Sequence, residues 1–257
     1  MARWTAFPFV GEYNFDADSV KNAWDRLHAG DLEPLPEDTA LLDAWAKFHS
    51  GEFQRACTDG LKLGLAGLNV ANKATCTYAT YLEKHEDRRL ALFLEVAERA
   101  EQQISQDPDN TNAYYWHAYA LSRYSQGISV AKALAQGIGH TVKTNLETVI
   151  QRQPTHPDAH IALGAFHAEV IDKVGSLIGA MAYGAHRDTG LKLFDQALKL
   201  HMASAAGMVE YAHAMLMLDG EKMMHEANRL YQLAAGAVPV DASERLDIEL
   251  ARTELSD

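Results

Sequence analysis

Asp107-Pro108-Asp109-Asn110, followed by Tyr114-Tyr115-Trp116-His117-Ala118-Tyr119-Ala120-Leu121, is the stretch that decides the fold. Pro108 has no amide hydrogen and stops the helix before it, while Asn110 can cap the helix after it. The same grammar returns at Gln153-Pro154-Thr155-His156-Pro157, where Pro157 suits a first helical position, and His160-Ile161-Ala162-Leu163-Gly164-Ala165-Phe166 follows. The two stretches superpose at an offset of 44, placing Tyr119 on Leu163, Ala120 on Gly164 and Arg123 on His167. A second match, at an offset of 47, pairs Ala133-Leu134-Ala135-Gln136-Gly137 with Ala180-Met181-Ala182-Tyr183-Gly184, and His140 and His186 follow the two copies. A third, at 48, pairs Leu146, Val149 and Ile150 with Phe194, Ala197 and Leu198. The middle of the chain is two copies of one enlarged helical unit.

The rest of the sequence carries the same period. Apolar residues three and four apart form stripes at Val20, Ala23, Trp24 and Leu27, then at Leu41, Ala44, Trp45 and Phe48. Further stripes run through Phe53, Ala56, Cys57 and Gly60, through Leu90, Phe93, Ala97, Ala100 and Ile104, and through Met208, Tyr211, Met215 and Leu218. Asp16 or Asp18 can cap the first, and Gly51 and Asp219-Gly220 mark turns between neighbours. No alternating stretch argues for a strand. Helices paired through short turns predict an all-α fold, an α-solenoid of antiparallel helix pairs with its two central repeats enlarged by inserted helices. The expected organisation is a single repeat domain over 1–257: an N-terminal segment and capping helix (1–35), two repeats (36–107), two enlarged repeats (108–200), and a C-terminal helix pair and cap (201–257).

Gly51-x-Phe53-x-x-Ala56 and the Asp107–Asn110 turn resemble the tetratricopeptide repeat (TPR), in which a small residue sits where two helices cross and a proline turn ends the unit. The enlarged units, with Tyr114-Tyr115-Trp116 and with Leu163-Gly164 opening the second copy, resemble the T-component (TatT) proteins of TRAP transporters and the TPR-like regulators of microtubule dynamics. The resemblance covers roughly residues 90 to 240 and implies a binding scaffold rather than a catalyst.

The chain has 257 residues, a net charge of −12, 47% hydrophobic and 23% charged residues. The acidic balance excludes nucleic acid or an anionic membrane surface as main partner, since both require clustered Lys and Arg. No basic stretch leads into an apolar run at the N-terminus, and no apolar run approaches the ~18 residues that span a bilayer. A cytoplasmic location is expected, with Cys57 and Cys76 reduced and buried.

Histidines raise the question of a metal. His156, His160 and His167 share helical spacing, yet Pro157 leaves His156 in a cap, no His-Glu-x-x-His places a base between two ligands, and His167 falls on Arg123 of the other copy. No metal and no cofactor is expected. No Gly-x-Ser-x-Gly or phosphate loop is present, so no catalytic residue is assigned. For binding, Tyr114, His117 and Tyr124 lie on the helix face that lines the concave side of such a repeat. The inserts, residues 128–142 and 174–187, carry Ala133/Ala135/Gly137 and Ala180/Ala182/Gly184. Small residues allow close approach, so the inserts are expected to pack on each other or on a neighbouring repeat, narrowing the groove into a pocket near Tyr124, His140, Tyr183 and His186. The expected function is a non-catalytic scaffold, monomer or homodimer, that takes a protein or peptide partner or a small ligand. The alternatives are a metal-dependent hydrolase using the His-rich central repeats and a structural homo-oligomeric subunit.

Overall fold

The computed structural model describes residues 3–256, and all regular elements among them are helical. In chain order the α-helices are α1 (Ala17–Asn22), α2 (Trp24–Leu27), α3 (Thr39–His49), α4 (Phe53–Lys62), α5 (Leu68–Tyr81), α6 (Glu86–Gln106), α7 (Thr111–Gln126) and α8 (Val130–Ala135). There follow α9 (Ile138–Arg152), α10 (Pro157–Val174), α11 (Ser176–Ile178) continued by a π turn over Gly179–Tyr183, α12 (Arg187–Leu200), α13 (Ala205–Asp219), α14 (Met224–Ala235) and α15 (Ala242–Glu254).

The starts of these helices follow from their capping residues. Asp16 accepts from the Ser19 amide at 2.8 Å, Asp38 from Ala40 at 2.8 Å and Asn110 from Ala113 at 3.1 Å. Each side-chain oxygen satisfies an amide that the helix itself leaves unpaired. The period predicted one helix over Val20–Leu27, but Ala23 breaks it into α1 and α2.

The chain divides into two compact units. The first comprises residues 1–133 with 240–243, the second 134–239 with 244–257. In the first unit α3 packs on α4, α4 on α5 and α6 on α7, around Trp45, Phe48, Val70, Tyr78 and Val96, all under 2% exposed. The Trp4 ring stacks on Tyr78 with centroids 4.3 Å apart. Trp116 in α7 is 5% exposed, as its stripe requires. Cys57 and Cys76 are free and buried, and burial pushes the Cys76 thiol well above its ordinary range.

In the second unit α10 packs on both α12 and α13, and α13 on α14. Its core holds Phe194, Tyr211, Leu230, Tyr231 and Ile248, with Phe194 and Tyr211 stacked at 4.8 Å. Gly164 sits where α10 meets α12. A Cβ there would fall 2.8 Å from the Phe194 ring and 3.1 Å from the Gly190 carbonyl oxygen, so the crossing requires the absence of a side chain.

The inserts meet the expectation in part: the second packs on α10 and its Tyr183 lies over Gly139 of the first, but their extent and the role of their small residues differ. Residues 138–142 belong to the long helix α9, which leaves only α8 as the first inserted helix. Ala135, Gly137 and Ala182 are exposed, and a Cβ on Gly137 would meet nothing within 4 Å. The small residues are therefore not a packing stripe. Gly137 and Gly184 adopt φ of +66° and +61°, the left-handed region, one just before α9 and one closing the π turn. The repeated pattern records two chain reversals, for which glycine is the residue without steric cost.

Candidate functional site

The six expected groove residues are divided between the units, three in each. Tyr114 is half-buried and its hydroxyl donates to the Pro108 carbonyl at 3.2 Å. His117 is half-buried, and loss of hydration lowers its pKa against the opposing charge of Glu101. Tyr124 is buried at 4% exposure beneath the Lys132 ammonium, 5.6 Å from its ring centre. In the second unit His140 and His186 are exposed, while Tyr183 is half-buried and lies over Gly139, where a Cβ would be 2.7 Å from its ring. His140 stands in the first turn of α9 and His186 directly precedes α12, with no capping bond from its side chain. Both are at helix starts.

The central histidines are occupied by backbone. His156 Nδ1 accepts from the Ala159 amide at 3.1 Å, capping α10. His160 Nδ1 donates to the His156 carbonyl at 2.8 Å, and His167 Nδ1 accepts from the His186 amide at 3.1 Å. Burial first, then the charges of Lys143 and His186, push His167 down to about 4. Among the described residues no three His, Cys, Asp or Glu side chains are placed to hold a metal ion.

The densest polar chemistry lies in the first unit and involves none of the six expected groove residues. Helix α5 presents Asn69 and Lys73, and the start of α7 adds Asn110 and Asn112. The segment after α2 lays two carboxylates onto these groups. Asn69 Nδ2 donates to both Glu33 oxygens, at 2.9 and 3.0 Å, and Asn112 Nδ2 donates to Glu33 Oε2 at 2.6 Å. Gln103 donates to Asn69 Oδ1 at 2.9 Å, which turns the Asn69 amide hydrogens toward the carboxylate. Lys73 Nζ donates to Asp31 Oδ2 at 2.6 Å. Trp24 Nε1 donates to the Glu33 carbonyl at 2.8 Å, and Leu32 between the two acids has φ +46°, the only positive φ among described non-glycine residues.

The two acids differ in charge balance. Asp31 loses hydration too, but Lys73 and His28 outweigh that and hold its carboxyl far below the usual range. Glu33 has only carboxamide donors, so lost hydration and the neighbouring Asp31 charge push it up to about 7. The cradle thus offers more donors than cations. A signal was available: Asn69, Asn72 and Lys73 share one face of α5, and the first two are buried at 5% and 0% exposure. A search for apolar stripes passes over such a face.

The model of the family "Regulator of microtubule dynamics protein 1-3" matches residues 68–177, from the start of α5 into α11. Among solved structures, a thermophilic TPR protein of Thermus thermophilus is similar, with a TM-score of 0.58 and 18% identity over 83% of this chain and 97% of that one. That likeness extends to fold alone. No curated protein matches the chain. Fold and matches agree on a helical TPR-like repeat protein, the coarser of the expectations drawn from the sequence.

Proposed function

We propose that the chain is a non-catalytic scaffold whose α5/α7 face binds an acidic peptide segment of a protein partner. The observation that carries this reading is the grip of Asn69, Asn112 and Lys73 on the carboxylates of Asp31 and Glu33, which flank Leu32 in an irregular stretch of chain. Directed donors that meet both oxygens of a carboxylate recognise that group by geometry. Here the ligand is the chain's own segment, held in place of a partner's. A tethered occupant acts at an effective concentration in the millimolar range, so a partner has to compete with it. The TPR-like fold, a frequent carrier of protein interactions, supports the same reading.

The test is a fluorescein-labelled peptide of alternating Asp and Glu, followed by anisotropy. Glu33→Ala removes the carboxylate from Asn69 and Asn112 and should bind at least about tenfold tighter than the parent chain, ~1.4 kcal/mol. Adding Asn112→Ala to that variant should remove the gain. Equal, weak binding by all three would overturn the reading.

A further inference from the structure

Four side chains of the first unit form a row of three hydrogen bonds. Asp31 Oδ1 lies 2.9 Å from His28 Nδ1, His28 Nε2 lies 3.3 Å from His49 Nε2, and His49 Nδ1 lies 2.6 Å from Asp241 Oδ2. None of the four is more than 3% exposed. Each bond requires one hydrogen. Two neutral imidazoles bring only two, and with both Nδ1 hydrogens given to carboxylates, two Nε2 lone pairs would face each other. We propose that the folded chain holds one additional proton between His28 and His49, and that this proton fastens the loop before Asp31 to α3 and, through Asp241, to the returning segment 240–243.

Charge supports the count. Two carboxylates, one imidazolium and one neutral imidazole sum to −1, and the Lys73 ammonium on Asp31 brings the cluster to zero. Without the third proton the group carries a net negative charge in a site lined by Trp24, Trp45, Phe48 and Phe15, whose rings pack on the two imidazoles. Glu33, the remaining titratable neighbour on this segment, adds negative charge above about pH 7 and favours the proton further.

The location of the proton follows from the neighbours. His28 is pushed down to about 4, chiefly by burial, with Lys73 and His49 adding to the lowering against Asp31. It is the neutral ring: its Nδ1–H donates to Asp31 and its Nε2 accepts. His49 then carries both hydrogens, and its 2.6 Å contact with Asp241 is the length of a charge-assisted bond. A metal ion in place of the proton is disfavoured by the lack of a third ligand among the described residues and by the commitment of both aspartates to Nδ1. The inference does not depend on what the α5/α7 cradle binds.

The experiment uses the full chain labelled with 15N-histidine, purified without added metal, and long-range 15N–1H spectra recorded from pH 6 to 8.5. The expected result is that one buried ring keeps an Nε2-bound hydrogen at pH 8, after the exposed histidines have become neutral, with scalar coupling to the Nε2 of the second ring. Unfolding in guanidinium at pH 8 should then release about one proton more from the parent than from His49→Gln. Two buried rings that both lack an Nε2 hydrogen at pH 8 would overturn the proposal, and so would a spectrum that changes on chelation together with one equivalent of bound metal. The spectra of the parent chain decide the matter even where His49→Gln does not fold.

Discussion

Glu33 is a carboxyl that folding supplies with hydrogen-bond donors but not with a cation of its own, because Lys73 is given to Asp31. Its folded pKa, raised to about 7, lies above its ordinary 4.5, so the folded chain binds a proton that the unfolded chain refuses. The stabilisation this brings is complete below pH 4.5 and is lost as pH rises through 7. Glu33→Gln keeps an acceptor for Asn69 and Asn112 without the charge. It should raise stability at pH 8 by about 1–3 kcal/mol and by much less at pH 5, as read from urea midpoints at the two pH values. An equal effect at both would mean that lost hydration and the Asp31 charge are not what raise Glu33. The residue scale also tests the helix crossing in the second unit. Gly164→Ala places a methyl 2.8 Å from the Phe194 ring and should cost about 1–3 kcal/mol, whereas Trp116→Ala in the first unit should cost about 3–5 kcal/mol as a large core deletion. Thermal melts that leave either variant within about two degrees of the parent would show that its site relaxes freely.

At the scale of elements, most of the helices were legible because caps and apolar spacing act locally. Asn110 and Pro157 stand where the turns before α7 and α10 need them, and the chemistry of the turn residues points to both. The small residues of the inserts were misread for an equally physical reason. Ala and Gly serve close packing and chain reversal alike, and a sequence pattern does not say which. Only the backbone does: Gly137 is left-handed with open space beside it. The two explanations predict different side-chain dependences. Packing would make Gly137→Leu far worse than Gly137→Ala. A left-handed backbone makes both cost about 1–2 kcal/mol alike, with Gly137→Asn milder. Equal denaturant midpoints for the Ala and Leu variants, below both parent and Asn, are the expected outcome. The cradle was illegible for another reason. Glu33 and Asn112 are 79 residues apart, and a carboxylate on carboxamides leaves no periodic trace.

For the molecule as a whole, the polar groups buried inside each unit set the pH at which it is most stable. His28 in the first unit and His167 in the second are both held near 4 by burial, below their ordinary 6.5. The unfolded chain therefore takes up two protons near pH 6.5 that the folded chain refuses until about 4, and stability falls as pH drops through that window. Glu33 works in the opposite sense between 7 and 4.5, offsetting one histidine. The net expectation is a loss of ~3 kcal/mol between pH 6.5 and 4, one shift of about two and a half units at ~1.4 kcal/mol each. On the alkaline side the proton held by His28 and His49 makes stability fall again. The midpoint of chemical unfolding should therefore peak near neutrality. His167→Gln, whose carboxamide can still accept from the His186 amide, should flatten the acid arm and leave the alkaline arm unchanged. An acid arm as steep in that variant as in the parent would mean that the burial of His167 is not what makes the fold acid-sensitive.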